Sequence, residues 1–275
     1  MSRLSLAAEP ATGRPPPDVV VRLRDVGKVF ANGTVALAGL SLDVAAGDFL
    51  SLLGPSGCGK STALRLIAGL SRPTSGSVGW PTTALDARGL PQGQVGFVFQ
   101  EPTLMPWQNV FGNVYMPLRL GGMSRRQARP RVMEALAAVG LEAFERAYPR
   151  ELSGGMKMRV SIARALVTNP GLLLMDEPFA ALDEITRHKL NDDVLRLWRQ
   201  SGVTIIFVTH SVFESAFLSS RIVVMTPRPG RVFADMRVSA PAERDVNYRT
   251  SEDYRAVTDR VSRALHDAMH AGDAS

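Results

Sequence analysis

A single cysteine, Cys58, stands in a chain of 275 residues, so no internal disulfide can form and neither a thiol-based zinc cluster nor a disulfide framework can hold the fold. That scarcity fits a reducing compartment. Long hydrophobic runs are missing as well: no uninterrupted apolar stretch approaches the ~20 residues needed to cross a bilayer, so any membrane role is expected to be peripheral. Met1 to Asp18 holds four prolines and only the short apolar patch Leu4, Leu6, Ala7, Ala8, far below a signal-peptide core. It reads as a flexible tail. Strong one-sided charge is also absent, because the formal net charge is +6 and the Arg and Lys residues are spread along the chain. Charge alone therefore argues weakly for nucleic acid or an acidic membrane surface.

What is present is core-forming material. Hydrophobic side chains make up 45% and charged ones 21%, which excludes a disordered protein and allows one large domain or two small ones. Val19, Val20, Val21, Leu23 and Val26 predict an opening strand, and Val35 to Val44 a second one that ends at the Ala46-Gly47-Asp48 turn. Phe49 to Leu53 carries no charge, as a strand buried on both faces does, and runs straight into Gly54. Helical periodicity follows over Thr62 to Leu70, a strand over Val95 to Phe99, and a mostly helical stretch over Val110 to Gly140 with expected interruptions at Pro117, Gly121-Gly122 and Pro130. A helix is expected from Ser153 to Asn169-Pro170, strands at Leu172 to Met175 and Val203 to Val208, and an amphipathic helix between them over Ile185 to Gln200. Two later strands, Ile222 to Met225 and Val232 to Val238, flank the Pro227-Arg228-Pro229-Gly230 turn. Tyr254, Val257, Val261, Leu265 and Ala268 fall at helical spacing and predict a terminal amphipathic helix.

Strands and helices alternate around a mainly helical insertion, which argues for a parallel α/β core with a helical subdomain. The expected organisation is a tail at 1–18, a main domain at 19–238 with its helical subdomain at about 101–160, and a carboxyl-terminal extension at 239–275.

Gly54-Pro55-Ser56-Gly57-Cys58-Gly59-Lys60-Ser61 matches a phosphate loop between a buried strand and a helix. Its glycines let successive N–H groups turn toward one anion, and the helix that follows adds its positive end. Lys60 would reach the outer phosphates of ATP and the Ser61 hydroxyl would hold Mg2+. The bland alternative is a Gly-rich turn that binds nothing. Leu172 to Met175 then places Asp176 at the carboxyl end of a central strand, where ligands of open α/β sheets bind. Asp176 would order the metal, and Glu177 is the candidate general base for water.

Leu152-Ser153-Gly154-Gly155-Met156-Lys157-Met158-Arg159 and the run Val160 to Leu166 resemble the signature region of ABC ATPases, and the resemblance spans roughly Val19 to Val238. It implies a P-loop NTPase core with a mostly parallel sheet, an N-terminal antiparallel β subdomain and an inserted helical subdomain. It further implies nucleotide contacts from Gly54 to Thr62, a metal-contacting Gln100, a loop Ala181-Leu182-Asp183 that crosses between protomers, and a switch histidine at His210. Phe30 matches an aromatic platform for adenine, with a buried core aromatic as its competitor. Ser153, Gly154 and Gly155 open a helix whose free N–H groups form a second anion site. Met158 stands where the signature more often has glutamine, and altered packing or tuning, not lost activity, is the expected consequence.

The resemblance also implies a head-to-tail pair of such subunits, most simply a homodimer, acting with transmembrane permease subunits and indirectly with a solute-binding protein at the cytoplasmic face of the membrane. Val98 to Trp107, Phe179 to Asp183 and Thr226 to Gly230 look like importers of nitrate, sulfonates and taurine, with pyrimidine-type vitamin precursors also possible. A soluble ABC ATPase acting on nucleic acid or ribosomes is the competing reading. One ATPase module, no zinc cluster and no strongly basic segment weigh against it, so no nucleic-acid partner is expected. A nucleotide-binding regulator without turnover is a third, opposed by the intact Glu177 and His210.

Overall fold

The computed structural model describes residues 18–82, 95–241 and 243–271; the expected tail lies outside them except for Asp18. Strand β1 (Val19–Val29) pairs antiparallel with β2 (Val35–Ala45), and alternate residues of both, among them Val21, Leu23, Leu40, Leu42 and Val44, are buried. After β3 (Phe49–Leu53) the chain enters α1 (Lys60–Ile67) and then β4 (Ser75–Gly79), which pairs with the other edge of β1. The result is a three-stranded antiparallel sheet in the order β2-β1-β4.

The second half of the chain supplies β5 (Val95–Val98), α2 (Val110–Leu120), α3 (Arg125–Ala138), α4 (Gly154–Leu166), β6 (Leu172–Asp176), α5 (Glu184–Ser201), β7 (Thr204–Thr209), α6 (Val212–Leu218), β8 (Arg221–Met225), β9 (Val232–Arg237), α7 (Val246–Thr250) and α8 (Glu252–Ala271). The main sheet has six strands in the order β5-β6-β7-β3-β8-β9, parallel throughout except for the antiparallel β8-β9 hairpin. Its central strands explain their own composition. In β3, Phe49 and Leu53 face one hydrophobic core while Leu50 and Leu52 face another. The same alternation sends Leu173, Met175, Ile205 and Phe207 to one side and Leu172, Leu174, Ile206 and Val208 to the other. With a core on each face, these strands are apolar at most positions, and the buried Ser51 of β3 accepts a hydrogen bond from Ser219 Oγ at 2.6 Å. The fold class is therefore the one expected from the sequence, an α/β core with a mostly parallel sheet beside a smaller antiparallel sheet.

Two expected interruptions are corrected. Pro117 lies inside α2 and Pro130 inside α3, and of the expected interruptions only Gly121-Gly122 falls between the two helices. Each proline removes one backbone donor, but buried neighbours on both sides, Val114 and Leu118 in α2 and Ala128 and Val132 in α3, pin the helix across the gap. Gly122 makes the real break with a φ of 82°, where a side chain would be strained. Helix α8 packs on α6, β8 and β9 through the expected residues Tyr254, Val257, Val261 and Ala268.

Candidate functional site

Strand register builds the site. In the parallel sheet Leu53 pairs with Thr209 and Asp176 with Val208, so Gly54, Glu177 and His210 follow neighbouring strands at the same carboxyl edge. The loop after β3 must turn sharply into α1, and its glycines are where it does so. Gly57 and Gly59 have φ values of 76° and 103°, and a Cβ on Gly59 would sit 2.7 Å from the Ala36 carbonyl oxygen. A Cβ on Gly54 would press on Cys58 Sγ at 2.9 Å and on the Met225 carbonyl oxygen at 3.1 Å. Cys58 itself is buried, and burial pushes its thiol above the ordinary range. It packs the loop against the core.

Lys60 is only 3% exposed and donates from Nζ to the carbonyl oxygens of Gly54 (2.7 Å) and Pro55 (2.9 Å). Its ammonium is also 3.7 Å from Glu177 Oε1, while Glu177 Oε2 lies 3.1 Å from His210 Nδ1. Glu177 thus joins the phosphate loop to the end of β7. Its φ of 45° is unusual for a residue with a side chain, and its N–H donates to the Val208 carbonyl at 3.1 Å. Ser61 Oγ donates to Asp176 Oδ1 at 2.7 Å. Burial raises the Asp176 carboxyl above the ordinary carboxylate range, opposed by the Ser61 hydrogen bond and the nearby charges of Arg65 and Lys60.

A cavity of about 150 Å³ runs along this edge, lined by Phe30, Gly57, Lys60, Ser61, Glu177 and Arg228 among others. Phe30 is 43% exposed, so it is a wall of the cavity and not a core aromatic. Gly59 and Thr62 line it too.

Not every expected residue comes together here. Ser153 caps α4 by accepting from the Met156 N–H at 3.3 Å, but Ser153, Gly154 and Gly155 do not line the Lys60 cavity of their own chain. Gly155 has a separate packing role, since a Cβ there would meet Thr186 Cγ2 at 2.5 Å. Met158 is buried in the larger hydrophobic core. Gln100 is exposed just beyond β5 and likewise does not line the cavity. The loop after it is tied to α4 by Arg164, which donates to the carbonyls of Pro102 (2.9 Å) and Thr103 (2.8 Å). Asp183 caps α5 through the Thr186 N–H at 2.9 Å, the ordinary role weighed for it.

Three residues escaped the sequence reading. Glu214 accepts from Thr209 Oγ1 at 2.5 Å, and its Oε1 is 3.6 Å from Arg187 Nε. Arg187 in turn donates to the Leu182 carbonyl at 2.9 Å, so this pair links the strand before His210 to the loop 181–183. Burial pushes the Glu214 carboxyl up, with the Thr209 hydrogen bond opposing. Arg228 is the third. Its turn was visible in sequence, but nothing local to that turn revealed that it folds onto the phosphate loop.

Residues 37–180 match the family described as ABC transporter, more than half of the chain. The chain belongs to the ABC transporter family. It is an ATP-hydrolysing subunit of that family. Among its relatives it is 45% identical to the taurine import ATP-binding protein TauB of Rhizobium johnstonii over 72% of this chain and 75% of that one. It is also 43% identical to the aliphatic sulfonates import ATP-binding protein SsuB of Bacillus subtilis over 82% and 85% of the two chains. Among solved structures, it resembles a dimeric ATP-binding cassette in a post-hydrolysis state bound to ADP and Pi, at 35% identity and a TM-score of 0.70 over 80% of this chain and 100% of the other.

Proposed function

We propose that this ABC ATPase binds ATP along the cavity from Phe30 to Glu177 and energises uptake of a taurine-, sulfonate- or nitrate-type anion. The observation that carries the reading is the convergence of Lys60, Ser61, Asp176, Glu177 and His210 on one sheet edge within 2.7 to 3.7 Å links. Adenine stacks on the exposed face of Phe30, and the turned glycines and α1 present backbone N–H groups to the phosphates. Lys60, held over the loop by two carbonyls, meets the outer phosphates. Glu177 accepts the proton of the attacking water, and His210 orients the Glu177 carboxylate and the terminal phosphate.

The donors suit magnesium. Ser61 and Asp176 offer hard oxygens in mutual contact, and magnesium takes one or two protein oxygens and completes its shell with phosphate and water. Gln100 is the further protein ligand proposed. Bound there, the ion would neutralise charge on the transferring phosphoryl group.

Because Ser153 to Gly155 do not line the Lys60 cavity of their own chain, their N–H groups serve the site of a second, identical subunit placed head to tail. Permease subunits complete the complex and a solute-binding protein delivers the anion to it. A cleft of about 390 Å³ lined by Phe97, Phe99, Thr103 and Met116 lies between β5 and the helical insertion and offers the permease a seat. Among the described residues no helix is long and apolar enough to cross a membrane, in keeping with attachment through the permease at the cytoplasmic face. The relatives named for taurine and aliphatic sulfonates support the solute class. Purifying the complex from its native membrane tests the reading. The companion chains should include a permease, and the associated binding protein should retain taurine, a sulfonate or nitrate; retention of an uncharged solute alone would overturn the solute class.

A further inference from the structure

The β8-β9 hairpin ends in a turn that is fastened to β2 through Gly230 and to the phosphate loop through Arg228. Thr226 shuts the turn: its hydroxyl donates to the Pro229 carbonyl and accepts from the Arg231 N–H, both at 3.0 Å. Gly230 joins the tip to β2, donating to the Ala36 carbonyl at 2.9 Å and accepting from the Ala38 N–H at 3.2 Å. The approach is so close that a Cβ on Gly230 would fall 2.1 Å from the Cys58 carbonyl oxygen. From this wedged tip Arg228 reaches over the loop. Its Nε and Nη2 both donate to the Gly57 carbonyl, at 3.1 and 3.0 Å, and the side chain lines the same cavity as Phe30, Lys60 and Glu177.

A guanidinium has five donors in a planar fork. Only two of them are spent on Gly57, and the others have no protein partner among the described residues. A permanent cation is thereby fixed, half satisfied, on the wall of a cavity built to take a polyanion. We propose that Arg228 is a nucleotide-binding residue, a second cationic arm that the hairpin lends to the phosphate loop, gripping the phosphate chain of ATP or ADP together with Lys60. The inference rests on the reading of this cavity as the ATP site.

Calorimetric titration of the full chain with ATP and with ADP tests it, using Arg228→Ala, Arg228→Gln and Arg228→Lys alongside thermal melting. Glutamine still donates to the Gly57 carbonyl but carries no charge. A charged hydrogen bond to phosphate is expected to be worth about tenfold in affinity or more. The Ala and Gln variants should both lose that much for ATP, with the difference from the unmodified chain shrinking as salt rises, while Lys recovers part of it and all three melt where the unmodified chain does. Unchanged affinity in Ala and Gln would overturn the proposal. So would affinity and melting temperature that fall together in Ala and return together in Gln, which would make Arg228 a clamp on the loop and nothing more. Failure of the unmodified chain to bind ATP at all would instead sink the reading of the cavity.

Discussion

Among the described residues lining the cavity Glu177 is the only carboxylate, and it is contacted by both Lys60 and His210. Glu177→Gln keeps the shape but cannot accept a proton, so phosphate release should fall by about a hundredfold or more while ATP binding stays near normal. Turnover close to that of the unmodified chain would remove Glu177 from the role of base. Phe30 makes a second prediction. Since it is exposed, Phe30→Ala should weaken nucleotide binding by about 1–3 kcal/mol, the range for a base stacked on an aromatic ring, and leave the melting temperature in place. Phe30→Tyr should bind at least as well. An alanine variant that unfolds before it loses affinity would return Phe30 to the core.

Elements decide where those side chains stand. The turn from β3 to α1 tolerates only glycine at position 59, where both the φ of 103° and the nearby Ala36 carbonyl exclude a side chain. Gly59→Ala should therefore abolish measurable ATP binding in a chain that still folds, read by titration beside circular dichroism; normal affinity would mean the loop does not need its present shape. In the carboxyl-terminal extension, Tyr254 of α8 donates to the Phe213 carbonyl at 3.0 Å, and burial pushes its phenol up to about 12. The folded chain keeps this proton after the unfolded chain has lost its own near the ordinary phenol value of about 10, so stability should fall as pH rises from about 10 through 12. Urea unfolding of Tyr254→Phe should lack that component of the fall, and parallel curves for the two proteins would contradict it.

Much of this was legible in sequence because it is carried by local pattern. The uncharged runs Phe49 to Leu53 and Leu172 to Met175 announced strands with a core on each face, and the glycines before Lys60 announced the loop between strand and helix. What stayed hidden depends on distant partners. Ser75–Gly79 has two glycines and two serines and becomes β4 only because β1 offers it an edge. Pro117 and Pro130 looked like helix breaks because the packing that holds α2 and α3 across them lies elsewhere in the chain. Arg228 is 171 residues from the carbonyl it grips, and no spacing rule joins them.

At the scale of the whole molecule, Ser153 to Gly155 do not line the cavity that holds Lys60 and Glu177 in one chain, and the account requires two chains to bring them together. The most direct test starts from Glu177→Gln, so that bound ATP is retained. One tagged copy then carries Lys60→Ala and a differently tagged copy carries Ser153→Arg. In a head-to-tail pair both defects fall on one site, and the other site combines an intact phosphate loop with an intact signature helix. Isolated mixed dimers should hold one ATP each, and either pure dimer none. Properly assembled mixed dimers that retain no ATP would contradict the shared site.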